Sequence, residues 1–267
     1  MVCACLPATA QATQSAKLHV GFTPDRLGFP TTIAIHVQVT TPHNHVPSPL
    51  MALELRYPST LGITVSGLGI TTCSQSRLEY LGPESCPADS YMGHGGVLAE
   101  FAIGAEVLKE EVEVTIVRAP ETEGHFALLF FASGGTPISA QVALPALLLP
   151  APHAGSIDIE VPLVPTFPGG PNVAVAELNA TLGPRGLTYY ERLHGRIISY
   201  HPTGILLPDQ CPHGGFPFTA ALTFEDGSHA TARAAAPCPS GRLPSTRGGP
   251  ERSSAWISSP TRSDQAA

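Results

Sequence analysis

The chain has 267 residues, a mass of 27.8 kDa and a formal charge of −7 from 14 basic and 21 acidic residues. Charged residues make up 13%, about half the usual share in soluble domains, while 28 Pro and 26 Gly supply about a fifth of the chain. A hydrophobic content of 43% excludes a wholly disordered chain, scarce Lys and abundant Pro exclude a coiled coil or helical repeat array, and the acidic balance disfavours nucleic acid as a partner.

Residues 1–12 carry no charge and end in small side chains. Ala8-Thr9-Ala10 and Ala10-Gln11-Ala12 both fit the A-x-A pattern of a signal-peptide cleavage site. The apolar stretch is short and has no basic lead-in, so it reads as the remnant of a signal peptide that starts further upstream. The plainer reading is an Ala-rich N-terminus. Cys3 and Cys5 would leave with the leader.

Alternation of period two then dominates the chain. Ile33, Ile35, Val37 and Val39 alternate with polar or small neighbours, as do Met51, Leu53, Leu55 and Tyr57. A helical turn is expected over 74–80, with Ser74 as N-cap. Strands follow over 97–103 and at Val112, Val114 and Ile116, which face away from Glu111 and Glu113. A boundary between two packed lobes would fall near 119–123. The continuous apolar run 126–132 suits a strand covered on both faces. Further strands are expected over 138–144, at Ile157, Ile159 and Val161, and over 173–182 and 196–200.

The last hairpin is the sharpest local expectation. A three-residue loop, Glu225-Asp226-Gly227, pairs Leu222 with Ala230, Ala220 with Ala232 and Phe218 with Ala234, sorting apolar from polar faces. A two-residue turn mixes them, and such a slip is penalised where one face is buried. Gly227 should therefore be left-handed in a bulged turn. About a dozen strands with turns every 8–12 residues indicate sandwich or barrel architecture. Of these an all-β sandwich, Ig-like or jelly-roll-like, is expected over 13–238, followed by a disordered tail over 239–267. Without that tail the balance is 10 basic to 19 acidic residues, a net −9.

Four cysteines remain after the leader: Cys73, Cys86, Cys211 and Cys238. They permit three pairings; the sequential one, 73–86 with 211–238, is expected because each pair brackets one local unit. No C-x-x-C occurs among them, which removes support for a zinc or thioredoxin-like reading. Paired cysteines fit an oxidising compartment. No transmembrane segment is expected, since the most apolar run, 142–149, is short and interrupted by Pro145.

The stretch Leu55-Arg-Tyr-Pro-Ser-Thr-Leu-Gly62, with Thr72-Cys73-Ser74 and Glu84-Ser-Cys86-Pro-Ala-Asp-Ser90, forms one motif block. Gln210-Cys-Pro-His-Gly-Gly-Phe-Pro-Phe218, Phe224-Glu-Asp-Gly227 and Pro237-Cys238-Pro239 form another. Both resemble segments of exported, uncharacterised, disulfide-containing proteins of high-GC actinobacteria. The resemblance spans roughly residues 50–239. It implies export, paired cysteines and a β-rich fold, and carries no catalytic residue across.

Candidate chemistry is sparse. His43-Asn44-His45 is an H-x-H that would share one face of a strand, as copper or zinc sites need, with His201 or His213 converging in space. Set between Thr-Thr-Pro and Val-Pro, it reads more plainly as a solvated loop. Glu106, Glu110, Glu111, Glu113, Glu121 and Glu123 form an acidic run without EF-hand spacing, the mark of a solvated edge. Glu177 and Glu191 are the inward-capable carboxylates for glycoside chemistry, which needs two acids across a cleft, with an ordinary surface role as the plainer reading. No G-x-S-x-G occurs, and Gly93-His-Gly-Gly96 and Gly134-Gly135 lack a P-loop Lys and read as turns. Tyr189 and Tyr190 beside Glu191 and Arg192 form a candidate recognition surface. The favoured reading is a secreted or envelope, non-enzymatic interaction or structural module without a cofactor, its ligand an extracellular protein or glycan. The alternative is a carbohydrate-binding protein or hydrolase with a cleft near Tyr189–Glu191. Export has a direct readout: N-terminal sequencing of secreted protein should begin at or soon after Gln11, and a mature chain that keeps Met1 counts against the leader.

Overall fold

A computed structural model describes residues 14–42, 45–63, 71–149, 154–183, 188–200 and 205–239. The expected leader, the expected tail apart from Pro239, and His43 lie outside the described residues. In chain order the strands are β1 (Ser15–Thr23), β2 (Pro30–Thr40), β3 (Leu50–Pro58) and β4 (Gly62–Ile63), then helix α1 (Gln75–Leu81). There follow β5 (Tyr91–Ile103), β6 (Glu106–Thr122), β7 (His125–Ser133), β8 (Gln141–Leu149), β9 (Ala154–Glu160) and β10 (Ala174–Leu182). The last are β11 (Tyr189–Leu193), β12 (Arg196–Tyr200), β13 (Ile205–Leu206), β14 (Phe216–Phe224) and β15 (His229–Ala236).

Eleven of these strands form an antiparallel belt in the order β15-β14-β3-β9-β8-β7-β6-β5-β10-β2-β1. Its two end strands, β1 and β15, lie side by side. Across this seam Gln14 Nε2 donates to Ser228 Oγ at 2.9 Å, and Phe22 meets Phe216 edge-on with ring centroids 5.3 Å apart. The result is a nearly closed barrel, which corrects the expected sandwich. The expected lobe boundary falls on the end of β6 and its turn into β7, two strands that are neighbours in this one sheet.

Each strand's alternation sends one set of side chains into the barrel. Leu18, Ile35, Leu55, Ile116, Phe130 and Ile159 are all buried in a single cluster. The outward set carries Glu54, Arg56, Asp158, Glu111 and Glu113, so the wall is polar outside and apolar inside. That is the reverse of a transmembrane barrel, whose outward band is apolar. Both faces of β7 are covered, as its apolar run predicts. Leu128 and Phe130 point inward, while Ala127, Leu129 and Phe131 pack outward under Leu78 of α1 and the Cys73–Cys86 bridge. Ser74 caps α1, its hydroxyl accepting from the Arg77 N–H.

Two glycines decide how the belt curls. A Cβ at Gly93 would lie 2.1 Å from the Thr181 carbonyl oxygen, and one at Gly95 would lie 2.1 Å from that of Asn179. Strand β5 therefore approaches the β10 backbone more closely than any side chain permits. The Gly93–Gly96 stretch is thus a tight point of the wall, and not the turn that its composition suggests. On the opposite side Tyr57 pairs with Gly155 and its ring covers the vacant side-chain position, the arrangement by which an aromatic compensates a strand glycine. Burial pushes the Tyr57 hydroxyl's pKa above its ordinary value.

The final hairpin has the expected register: Leu222 faces Ala230, Ala220 faces Ala232 and Phe218 faces Ala234. Gly227 has φ +78°, and the Phe224 N–H donates to Ser228 O at 3.0 Å across the bulge. A hydrogen bond from Ser228 lowers the Asp226 pKa below its ordinary value and holds the turn. Cys211–Cys238 ties the hairpin's open end, and Cys73–Cys86 closes the other expected loop. Three strand expectations shift. Strand β8 starts at Gln141 and runs through Pro145 to Leu149, Met51 is 42% exposed because β3 and β14 change register there, and β1 is additional.

Replacing Gly95 by Ala should destabilise the barrel by about 1–3 kcal/mol, the usual cost of forcing atoms into a packed site. Gly21 has no atom within 4 Å of its missing Cβ, so Gly21→Ala should stay within about 0.5 kcal/mol. Urea denaturation of both variants checks the contrast.

Candidate functional site

Among the described residues, three regions stand out as surface or space for a ligand. The first is the ribbon of β11 and β12, which pair only with each other and stand outside the barrel sheet. Register places Tyr190 opposite Ser199 and Arg192 opposite Ile197, so these four share one face. Tyr190 is 69% exposed, Ile197 68% and Ile198 45%. Arg192 and Arg196 make this a basic element on a net-acidic chain. Of the expected recognition residues, Tyr189 and Glu191 lie on β11 with side chains outside the described set, while Tyr190 is fully presented.

The second region is an open groove of about 490 Å³ on the outer wall, where β1, β2, β10 and β5 lie side by side. Its floor is Gly21, Ala34, Gly95 and Gly96, and its walls carry His19, His36 and His94. His19 and His36 are cross-strand partners with ring centroids 6.0 Å apart. The His36 Nδ1 lies 2.5 Å from the Asn179 Oδ1, an arrangement in which the imidazole N–H donates. Among the described residues no three His, Cys, Asp or Glu side chains gather as a metal site would require. Of the histidines proposed to converge from the sequence, His43 and His201 are outside the described residues, His45 sits in a loop where its carbonyl accepts from the Thr41 hydroxyl, and His213 occupies a turn.

The third region is inside one end of the barrel. The other end is filled by Phe22, Phe216, Phe218 and Met92, leaving only about 40 Å³ of space. Here a cavity of about 130 Å³ is lined by inward residues of β5 to β8 and by the segments 134–140 and 161–175. Val97, Val112, Val142, Leu144 and Val175 point into it, yet each is only half-buried. One acid joins them. Glu110 is 5% exposed, and its carboxylate accepts from Gly135 N at 2.8 Å and Ile138 N at 3.0 Å. Gly134 is required beside it, because a Cβ there would lie 2.9 Å from Glu110 Oε1.

Of the acids singled out in the sequence, Glu177 takes the plainer surface role and Glu110 departs from the expected solvated edge. Glu177 projects outward, accepting from Gln38 Nε2 at 3.2 Å, and Glu191 belongs to the separate ribbon. Glu106, Glu111, Glu113, Glu121 and Glu123 are exposed, as a solvated edge would be. Glu110 is the inward acid, and its phase carried the signal: it continues the series Val112, Val114, Ile116 two residues earlier. On the outer wall Glu100 is buried beside Lys109, with Nζ 2.6 Å from the carboxylate, and that hydrogen bond raises the lysine's pKa above its ordinary value.

Fold and sites together define a nearly closed, barrel-like antiparallel sheet with one filled end, one hollow end and a separate ribbon. Family models, curated proteins and solved structures give no match to this chain.

Removing the Glu110 carboxylate should loosen the loop it holds. Glu110→Ala leaves two backbone N–H groups without their acceptor and should cost about 2 kcal/mol. Amide exchange at Gly135 and Ile138 should accelerate first, with β14 and β15 unchanged. Uniform acceleration along the chain would contradict this local role.

Proposed function

We propose that the protein is an exported, non-enzymatic interaction module, with the barrel as scaffold and the β11–β12 ribbon as contact element. The ribbon's exposure is the observation that supports this reading. An isolated two-stranded hairpin is marginal in water, and this one spends its large side chains on solvent: Tyr190, Ile197 and Ile198. Aromatic and Arg side chains are the residues that carry most binding energy when buried at an interface. Tyr190 and Ile197 flanked by Arg192 match a protein surface that offers an apolar recess with an acidic rim. Two disulfides in a chain of this size suit an oxidising compartment. The resemblance of residues 50–239 to exported actinobacterial proteins points the same way.

A photo-crosslinking side chain in place of Tyr190 tests the reading in cells that export the protein. One protein adduct of defined mass is expected, lost on Ile197→Ser and on Arg192→Glu. Both exposed substitutions should leave unfolding free energy within about 0.5 kcal/mol, so loss of the adduct reports contact and not misfolding. Adducts indifferent to both variants, or binding on a glycan array with no protein adduct, would overturn the proposal in favour of a nonspecific or glycan-binding surface.

A further inference from the structure

The hollow end of the barrel gathers half-buried core residues around a larger space than the filled end holds. Half-buried inward residues such as Val20, Phe126 and Leu178 occur singly elsewhere, but Val97, Val112, Val142, Leu144 and Val175 stay half-buried together around one cavity. These are core residue types on core-facing positions. Each Å² of apolar surface left in contact with water forgoes about 25 cal/mol of burial, so the end is built at a cost that a filled core would avoid. The space of about 130 Å³ is close to the roughly 150 Å³ at which an apolar cavity accepts benzene.

Glu110 gives the cavity polarity and orientation. It is the only charged side chain among the lining residues. Among the described residues its carboxylate has no basic partner, and its two hydrogen bonds are backbone N–H groups, one to each oxygen. A carboxylate has about four acceptor positions, so two remain. Buried charges are ordinarily paired, and here a ligand cation would provide the missing charge. The segment 134–140, which Glu110 pins, forms one wall of the cavity, so ligand binding and loop order share this carboxylate.

We infer that the hollow end of the barrel is a binding site for a small primary amine with a compact apolar body of about six or seven carbons. The hydrocarbon fills the valine-lined space and the ammonium donates to the free acceptor positions of Glu110. No chemistry on the ligand is involved. This site is independent of the ribbon: it faces the barrel interior, and neither β11 nor β12 contributes to its lining.

Benzylamine, toluene and hexanoate probe the site directly, by chemical-shift mapping and calorimetry on the full chain. For a ligand of eight heavy atoms a dissociation constant of roughly 0.1–1 mM is expected. Benzylamine should bind about tenfold more tightly than toluene, since a hydrogen bond to a charged group contributes that much, and hexanoate should not bind. Glu110→Gln should erase the tenfold preference while toluene still binds. Ala132→Leu, which adds three carbons to the lining, should abolish binding of both. The inference is overturned if none of the three perturbs Val112, Val142 or Val175. It is equally overturned if the shifts survive Ala132→Leu, or if toluene and benzylamine bind the wild type alike.

Discussion

Everything in this molecule depends on how tightly β5 can be laid against β10. A sheet of eleven strands has far more inner surface than a flat layer could cover, and it buries that surface only by curling until its edges meet. The two strands close up where Gly93 and Gly95 sit under the Thr181 and Asn179 carbonyls, at a distance no Cβ could occupy. With side chains there, β10 would stand off, β2 and β1 would swing outward with it, and β1 would no longer reach β15. The phenylalanine pair Phe22 and Phe216, which meets edge-on across the seam, would then face water. A local absence of atoms thus controls a contact between the first strand and the last.

Closure also explains the distribution of side-chain size inside. Phe216, Phe218 and Met92 are buried at one end, Met92 and Phe218 around a small space with Tyr57, while Phe224 is buried beside Leu50 at the other. Beside them β15 contributes Ala236 and Ala234, the small cross-strand partners of Phe216 and Phe218. The hollow end is lined mostly by valines, with Leu50, Leu144, Ile138 and Ala132, around a space of about 130 Å³. Packing at native density requires large side chains to face small ones. The filled end obeys that rule and the hollow end departs from it, with Glu110 holding its rim loop in place.

The sequence was most legible where the controlling interactions are local. The last hairpin could be placed residue by residue because only one loop length sorts its two faces, and Gly227 supplies the left-handed residue that loop demands. The cysteines were legible because each pair brackets one unit, and α1 because Ser74 announces its start. Some signals were present in the residues and passed over. Leu18, Val20 and Phe22 alternate as cleanly as β2 does, and Glu110 is in phase with three inward residues of its own strand. The ribbon was visible as adjacent tyrosines in a chain with few aromatics, but its separation from the barrel was not.

Architecture was the part that residue patterns could not decide, for a physical reason. A sandwich and a barrel demand the same alternation from every strand, since both hide one face and expose the other. They differ in whether the end strands meet, and that is the sum of many small rotations along the belt. Bulges contribute some of these, as between Val175 and Glu177 in β10 and between Thr223 and Phe224 in β14. Tight glycine contacts such as Gly93 and Gly95 add others. Glycines in a sequence are ambiguous between a turn and a close approach, because both exploit the missing Cβ. Gly93-His-Gly-Gly96 has the composition of a turn, yet its alternate glycines all face one neighbour across thirteen residues of continuous strand. The distinguishing feature is therefore spacing: glycines that serve one face of a strand recur at every second position, as Gly93 and Gly95 do, whereas a turn needs its left-handed residue only once, as at Gly227.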